Sequence, residues 1–204
     1  MVGASEWPGR SRWILRTSKS SDCIASKDNH PMPHLRVAAI LFGYLLLQGC
    51  SPTLNWRDVR LDQTSLLALF PCKPERGARK ITMGAQVVTL TILACDASNA
   101  KFALAYVNTR DAAHTALVLD EWKSTTLSNI RAQSSRELAF LIKGANEAPQ
   151  PVVVRADGLH ADGTAVTLQA LWFAEGTLLF QAAVYERVAR QDVAETYFQG
   201  LRLQ

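Results

Sequence analysis

The segment that decides the fold is Val166-Thr-Leu-Gln-Ala-Leu-Trp-Phe-Ala-Glu-Gly-Thr-Leu-Leu-Phe-Gln-Ala-Ala-Val-Tyr185. Its two apolar runs, Val166 to Phe173 and Leu178 to Tyr185, are separated by the turn residues Glu175-Gly176. Apolar runs of this length on either side of a glycine turn are typical of paired antiparallel strands. The sequence therefore predicts a β-hairpin near the end of the chain.

Two aromatic residues in the first strand of this hairpin must point in opposite directions. Trp172 and Phe173 are neighbours, and successive side chains of a strand alternate between the two faces of a sheet. One of them therefore lies away from the main core, either under a layer of helix or at the surface. At the surface it would be an anchor for a protein partner.

A second hairpin is predicted upstream. Val87 to Ala94 alternates with a period of two, Asp96-Ala97-Ser98-Asn99 forms a turn, and Phe102, Leu104 and Tyr106 continue the same period. Shorter strands are predicted at three further places, namely Arg79 to Met83, Leu138 to Ile142 and Val152 to Ala156.

Two helices accompany these strands. Asp111 is predicted to cap a long helix that ends near Asn129, with an apolar stripe formed by Ala112, Ala116, Leu119, Trp122, Thr126 and Ile130. Asp192 is predicted to cap a short C-terminal helix with the stripe Val193, Tyr197, Phe198 and Leu201. Helices segregated against a largely antiparallel sheet define the α+β class. We therefore expect an α+β domain with one long central helix and one short C-terminal helix.

The beginning of the chain carries a different signal. The apolar run Val37 to Leu47 follows Arg36 and leads into Leu47-Gln48-Gly49-Cys50. Its eleven residues suit the apolar region of a signal peptide and are too few for a helix that spans a bilayer. The closing residues resemble the lipobox of bacterial lipoproteins. This resemblance implies that Cys50 is acylated on its sulfur and becomes the first residue of the mature protein.

The resemblance divides the chain into four parts. Residues 1–31 have no sustained apolar period, and we expect them to be disordered or to lie upstream of a true start codon at Met32. Residues 32–49 are the predicted signal peptide and residues 50–65 a tether. Residues 66–204 are predicted to form a single α+β domain.

Charge narrows the range of partners. The 155 residues from Cys50 onward contain sixteen Lys or Arg and fifteen Asp or Glu. A nucleic-acid-binding domain needs clustered positive charge, so this balance argues against nucleic acid as a partner. Ser51 stands where inner-membrane lipoproteins often carry aspartate, so the resemblance favours the outer membrane, with the domain facing the periplasm. The predicted partners are the lipid bilayer, through acylated Cys50, and an unidentified envelope protein or ligand.

One local cluster departs from this balance. Lys73, Arg76, Arg79 and Lys80 lie close together, and only Glu75 opposes them. We interpret the cluster as a solvated turn between two strands; the alternative is a patch that binds an anionic ligand.

Two of the four cysteines are left for a disulfide. Cys23 lies in the upstream extension and Cys50 is the lipid site, which leaves Cys72 and Cys95. In an oxidising compartment such a pair is expected to form a disulfide, which is worth about 3 kcal/mol for a loop of this length. A different hypothesis makes the run Val37 to Leu47 a buried helix of a cytoplasmic protein translated from Met1. Free thiols at Cys72 and Cys95 would favour that hypothesis.

Catalytic signatures are sparse. The sequence has no nucleophile elbow, phosphate-binding loop, dinucleotide-binding turn or zinc-protease motif, and we expect no cofactor, metal ion or catalytic residue. His114 follows Asp111 by three residues, and His160 lies in an Asp-Gly-rich segment that suits turns better than a calcium loop. The alternative function is an envelope hydrolase with a site around His114 or His160. A pocket that holds either histidine beside two acidic groups would favour it.

Short motifs at both ends of the predicted domain resemble a known fold. Leu69 to Pro74 (Leu-Phe-Pro-Cys-Lys-Pro) and Phe198 to Leu203 (Phe-Gln-Gly-Leu-Arg-Leu) resemble the PsbP-like fold, which is seen in an extrinsic photosystem II subunit and in small bacterial lipoproteins. The chain is also similar to uncharacterised proteobacterial lipoproteins with paired cysteines. The resemblance implies an α/β/α sandwich and a non-catalytic binding or accessory module. The predicted function is therefore a membrane-anchored envelope lipoprotein of this kind.

Overall fold

The computed structural model describes residues 54–84 and 86–204, which lie within one compact unit, Ser51–Gln204. The strands in these residues are β1 (Arg57–Arg60), β2 (Leu66–Phe70), β3 (Glu75–Met83), β4 (Gln86–Ala97), β5 (Ala100–Asn108), β6 (Ser134–Ala139), β7 (Val152–Leu159), β8 (Ala165–Glu175), β9 (Leu178–Glu186) and β10 (Arg202–Leu203). The helices are α1 (Thr115–Asn129) and α2 (Gln191–Gln199).

Seven strands form one antiparallel sheet in the order β3-β4-β5-β9-β8-β7-β6. The predicted late hairpin is confirmed as β8 and β9 in the middle of this sheet, where Phe173 pairs with Phe180. The upstream hairpin is confirmed as β4 and β5. A second, three-stranded sheet has the order β1-β2-β10.

Both faces of the large sheet are covered. Helix α1 packs on one face through residues that include Val118, Leu119 and Trp122. Helix α2 and strand β2 pack on the other face, where Phe70 and Tyr197 meet edge to face with ring centroids 5.4 Å apart. The domain is therefore an α+β sandwich, as predicted from the sequence. The resemblance to PsbP-like proteins is not tested by this architecture and stays a prediction.

The covering layers explain the positions of Trp172 and Phe173. Both side chains are fully buried, Trp172 under α1 and Phe173 on the opposite face, where it stacks on Phe180 at a centroid distance of 4.8 Å. The hypothesis that one of them is an exposed partner anchor is therefore wrong. A sheet with an apolar layer on each face has room for both aromatic rings in its interior.

Part of the predicted tether is folded. Residues 57–60 form β1, which pairs with β2, and the next residue, Leu61, is only 1% exposed. The segment is short, and three of its four residues, Arg57, Asp58 and Arg60, are charged. It is held because β2 supplies its backbone partners and because Leu61 enters the core.

Two edge strands differ from their predicted bounds. β3 begins at Glu75 rather than Arg79, so most of the basic cluster lies on a strand and not in a turn. β6 covers Ser134–Ala139 rather than Leu138 to Ile142. Both are edge strands with mostly exposed side chains, so their apolar residues do not mark where backbone pairing begins and ends.

The helix starts also differ from the prediction. α1 begins at Thr115, with His114 at the capping position, because Asp111 and the next two residues form a turn before the helix. α2 begins at Gln191, so Asp192 lies in the first turn rather than at the cap. A carboxylate in the first turn still interacts favourably with the helix dipole.

The two cysteines predicted to pair are brought together. The sulfur atoms of Cys72 and Cys95 lie at disulfide-bonding distance, with the Cα atoms 6.1 Å apart. Cys72 follows β2 of the small sheet and Cys95 lies in β4 of the large sheet, so the pair joins the two sheets. No helix in the described part of the chain is both long and apolar enough to cross a membrane.

Candidate functional site

A cleft lies where the connected ends of β3 and β4 meet the first turns of α1. Gly84 turns the chain there with a φ of +58°, a conformation that glycine adopts without strain. A Cβ at Gly84 would lie 3.6 Å from Cγ2 of Val118, so this turn packs directly on the helix. The cleft has a volume of about 250 Å³ and is lined by Met83, Gly84, Gln86, Val88, Thr109, Asp111, His114, Leu117, Val118 and Glu121.

The inner part of the cleft is apolar. Val88 and Val118 are 7% and 9% exposed and belong to the core under α1, and Met83 packs against the same core. Leu117 stands at the rim with 70% of its surface exposed. An exposed leucine beside a buried apolar floor gives a ligand a continuous apolar surface to contact.

The polar side of the cleft is formed by Asp111 and His114. Oδ1 of Asp111 accepts a hydrogen bond from the Ala113 backbone N–H at 3.0 Å, and Oδ2 lies 2.6 Å from Nδ1 of His114. The hydroxyl of Thr115 donates to the Asp111 carbonyl at 3.1 Å. These bonds fix the turn that precedes α1 and hold the imidazole beside the carboxylate.

The electrostatics of this pair favour a charged carboxylate. The hydrogen bond with His114 holds the pKa of Asp111 below its usual value, opposed by a smaller desolvation effect and aided by the charge of His114 and by backbone hydrogen bonds. Glu121 is a second acidic residue of the cleft, about two turns along α1 from His114. His114, Leu117 and Glu121 are exposed, so the cleft is open to solvent.

The cleft is lined by His114 and by two acidic residues, Asp111 and Glu121, and Asp111 is the one that contacts the imidazole, so the hydrolase alternative stays a hypothesis. A histidine held by a carboxylate is able to exchange protons with a bound molecule. Within residues 54–84 and 86–204, no group of three or more His, Cys, Asp or Glu side chains is placed to hold a metal ion.

The other histidine lies outside the cleft. His160 begins a tight turn in which its backbone N–H donates to the Thr164 carbonyl at 2.8 Å. The Asp162 carboxylate accepts hydrogen bonds from the Thr164 backbone N–H and hydroxyl at 2.9 and 2.7 Å. These contacts fit the turn chemistry that the Asp-Gly pairs predict.

The basic cluster is an exposed edge rather than a pocket. Arg76, Arg79 and Lys80 lie on β3, the edge strand of the large sheet, and Lys73 lies in the loop before it. Arg76 forms an ion pair with Asp62. On an edge strand, side chains of this length extend past the sheet into solvent on both faces.

The predicted lipidation site, Cys50, and its lipobox lie outside the described residues. The cleft, by contrast, contains residues that the sequence did not single out. Leu117 is apolar but lies outside the stripe of residues that α1 buries. An apolar residue on the polar face of a predicted helix is the feature of the sequence that could have pointed to the cleft. Met83 and Glu121 join the site only through tertiary packing.

Comparisons with known proteins leave the chain unassigned. No protein-family model matches it, and no curated protein does. Among solved structures, the chain is similar to a protein of unknown function from Pseudomonas aeruginosa, with 11% identity and a TM-score of 0.33, over 71% of this chain and 92% of the other. A similarity at this TM-score supports no conclusion about fold or function.

Proposed function

We propose that this chain is a lipid-anchored protein of the bacterial envelope, facing the periplasm from the outer membrane, and that it binds an apolar ligand in the cleft beside α1. The anchor is acylated Cys50, as the lipobox Leu47-Gln48-Gly49-Cys50 implies. The proposed role is a non-catalytic binding or accessory module.

The observation that carries the binding role is the apolar floor of the cleft. Buried Val88 and Val118 continue outward to exposed Leu117, so an apolar group that enters would remove surface on both sides from water. Each Å² of apolar surface buried in this way contributes about 25 cal/mol. Asp111 and His114 at the rim supply the polar contacts that orient a ligand.

The test compares two exposed leucines. Leu117 lines the cleft, whereas Leu141 is 94% exposed and is not among the residues of the cleft. The full-length protein is purified from its native membrane, and native mass spectrometry measures any non-covalently retained small molecule. We expect Leu117→Asp to weaken retention roughly tenfold, about 1.4 kcal/mol, because it places a charge on the apolar wall. Leu141→Asp should retain as much as the unmodified chain.

Equal retention by Leu117→Asp and Leu141→Asp would contradict the cleft as the binding site. The anchor is tested separately by Cys50→Ala, which is expected to abolish acylation and membrane retention. Normal processing and continued pelleting of Cys50→Ala with the membrane would contradict the anchor and leave the cleft result standing.

A second candidate function is hydrolysis at the same cleft, favoured by the 2.6 Å contact between Asp111 and His114. Here His114 would act as a general base that removes a proton from a water molecule as it attacks the carbonyl of a bound ester; the protonated ring would return that proton to the leaving alcohol, and Asp111 would hold the ring. With para-nitrophenyl acetate as the probe, this function predicts turnover that His114→Ala removes and His160→Ala leaves intact. Turnover that is equal in both variants, or absent from the unmodified chain, would count against it.

A further inference from the structure

We propose that the basic edge strand β3 lies against the membrane surface and binds anionic phospholipid headgroups, which fixes the orientation of the domain on the bilayer. This inference depends on the proposed acylation of Cys50 and extends it from an anchor to a defined docking face.

The linker between Cys50 and the folded domain, residues 51–54, is short. The backbone N–H of Asn55 donates to the Pro71 carbonyl at 2.8 Å, and Leu54 packs against the core. Asn55 follows Cys50 by five positions, and a chain of that length reaches at most about 18 Å even when fully extended. An acylated Cys50 would therefore keep Pro71 close to the headgroups. Lys73, the first residue of the basic cluster, follows Pro71 by two positions.

Charged side chains are unevenly distributed along the chain from Cys50 onward. Residues 73–80 contain four Lys or Arg and one Glu, whereas the rest of the chain from Cys50 onward has twelve Lys or Arg and fourteen Asp or Glu. Positive charge is thus concentrated close to Pro71, where the linker from Cys50 joins the folded domain. An anionic surface attracts this edge and repels the remainder of the domain.

The edge strand β3 is accessible to solvent. β3 pairs only with β4 in the sheet that the described residues form, and its side chains are largely exposed. Lys73 and Lys80 are exposed and form no ion pair with any residue that the structure describes. Both ammonium groups are therefore available to phosphate oxygens.

These arguments favour a lipid surface over a protein as the occupant. Because the short linker to acylated Cys50 would keep this edge near the headgroups, the effective concentration of lipid phosphate at the edge would be high. Each Lys or Arg near an anionic membrane surface strengthens association about fivefold. β3 ends at Met83, which lines the cleft, so the cleft lies within one strand length of the basic edge.

The experiment measures how reactive individual lysines are on vesicles. The acylated protein is reconstituted into vesicles of phosphatidylcholine, with or without about one third phosphatidylglycerol, and labelled briefly with an amine-acetylating reagent. Lys73 and Lys80 report on the basic edge. Lys143, which is exposed elsewhere, is the internal control. Mass spectrometry of the intact protein confirms the acyl groups, and peptide mass spectrometry gives the rate at each lysine.

We expect Lys73 and Lys80 to react at least fivefold more slowly on anionic vesicles than on neutral ones, with Lys143 unchanged. In roughly 1 M salt, where the Debye length falls to about 3 Å, the protection should disappear. An acylated protein in which Lys73, Lys80 and Lys143 react alike on both vesicles would overturn the docking face and leave the anchor intact. Protection that is equal on neutral vesicles would overturn the headgroup charge as its cause. A protein without acyl groups would refute the anchor, and this inference with it.

Discussion

At the scale of single residues, two strand glycines differ in how much room the fold leaves for a side chain. A Cβ at Gly158 in β7 would lie 2.2 Å from the Ile130 carbonyl oxygen, which is backbone and cannot rotate away. A Cβ at Gly77 in β3 would have no heavy atom within 4 Å. The same residue type thus performs different roles in two strands.

Gly158→Ala is expected to lower the free energy of unfolding by about 1–3 kcal/mol, because the strand must move away from the end of α1. Gly77→Ala is the matched control and should change it by well under 1 kcal/mol, since alanine fits an exposed strand without strain. Urea denaturation measures both. Similar midpoints for the two variants would show that β7 does not approach Ile130 closely.

The Asp111–His114 pair gives a second prediction at this scale. Because the folded-state pKa of Asp111 is lowered, its contribution to stability is present above the unfolded value of 3.8 and is lost as the pH falls through the folded value. NMR titration of the carboxyl carbon should place its midpoint below 3.8. His114→Ala should raise that midpoint toward 3.8, since the hydrogen bond with His114 is its main cause.

Asp162 is the matched control for this titration. Its pKa is also lowered, but chiefly by hydrogen bonds from Thr164, with His160 rather than His114 contributing. His114→Ala should therefore leave the Asp162 midpoint where it was. A change at Asp162 together with Asp111 would indicate a general loss of structure instead of a broken pair.

At the scale of elements, the main connection to test is the one between the two sheets. The Cys72–Cys95 pair is 23 residues apart in the chain and joins the end of β2 to β4. If the pair is oxidised, reduction should lower the free energy of unfolding by about 3 kcal/mol, because the unfolded chain regains the entropy of an open loop. Urea denaturation with and without reductant measures the change.

The double variant Cys72→Ser/Cys95→Ser controls for the reductant. It should start at the lower stability and show no response to reduction. A response in the double variant would place the effect elsewhere in the chain. Equal stability of the unmodified protein with and without reductant would show that the two thiols are free.

The central strands were predictable and the edges were not, for physical reasons. β8 and β9 are buried on both faces, so their apolar runs coincide with their pairing. β6 and most of β3 are exposed, so pairing there depends on a neighbour that the local sequence does not reveal. β1 belongs to the same class, since it needs β2 to form at all.

At the scale of the whole molecule, the sequence indicated the class but not the site. Alternating strands and two predicted helices are local patterns, and they are enough to predict an α+β sandwich. The cleft joins Met83 and Val88 to Asp111 and Leu117, which are brought together only when β4 and α1 pack. Only the pairing of Asp111 with His114, three residues apart, could be read from the sequence.

The same scale explains how the proposals fit together. In the proposed arrangement, the short linker from Cys50 joins the folded domain beside Pro71. The basic residues follow along β3, and the cleft lies at the far end of that strand. The proposed docking edge and the proposed ligand site thus lie at two ends of the same strand. Each has its own test, so each can fail alone.

The most direct test of the central claim is the intact mass of the full-length gene product purified from its native membrane, before and after reduction. We predict the mass of residues 50–204 plus acyl groups, with a gain of two hydrogens on reduction of the Cys72–Cys95 pair. An unprocessed chain without acyl groups, whose mass does not change on reduction, would contradict the envelope lipoprotein and favour the cytoplasmic alternative.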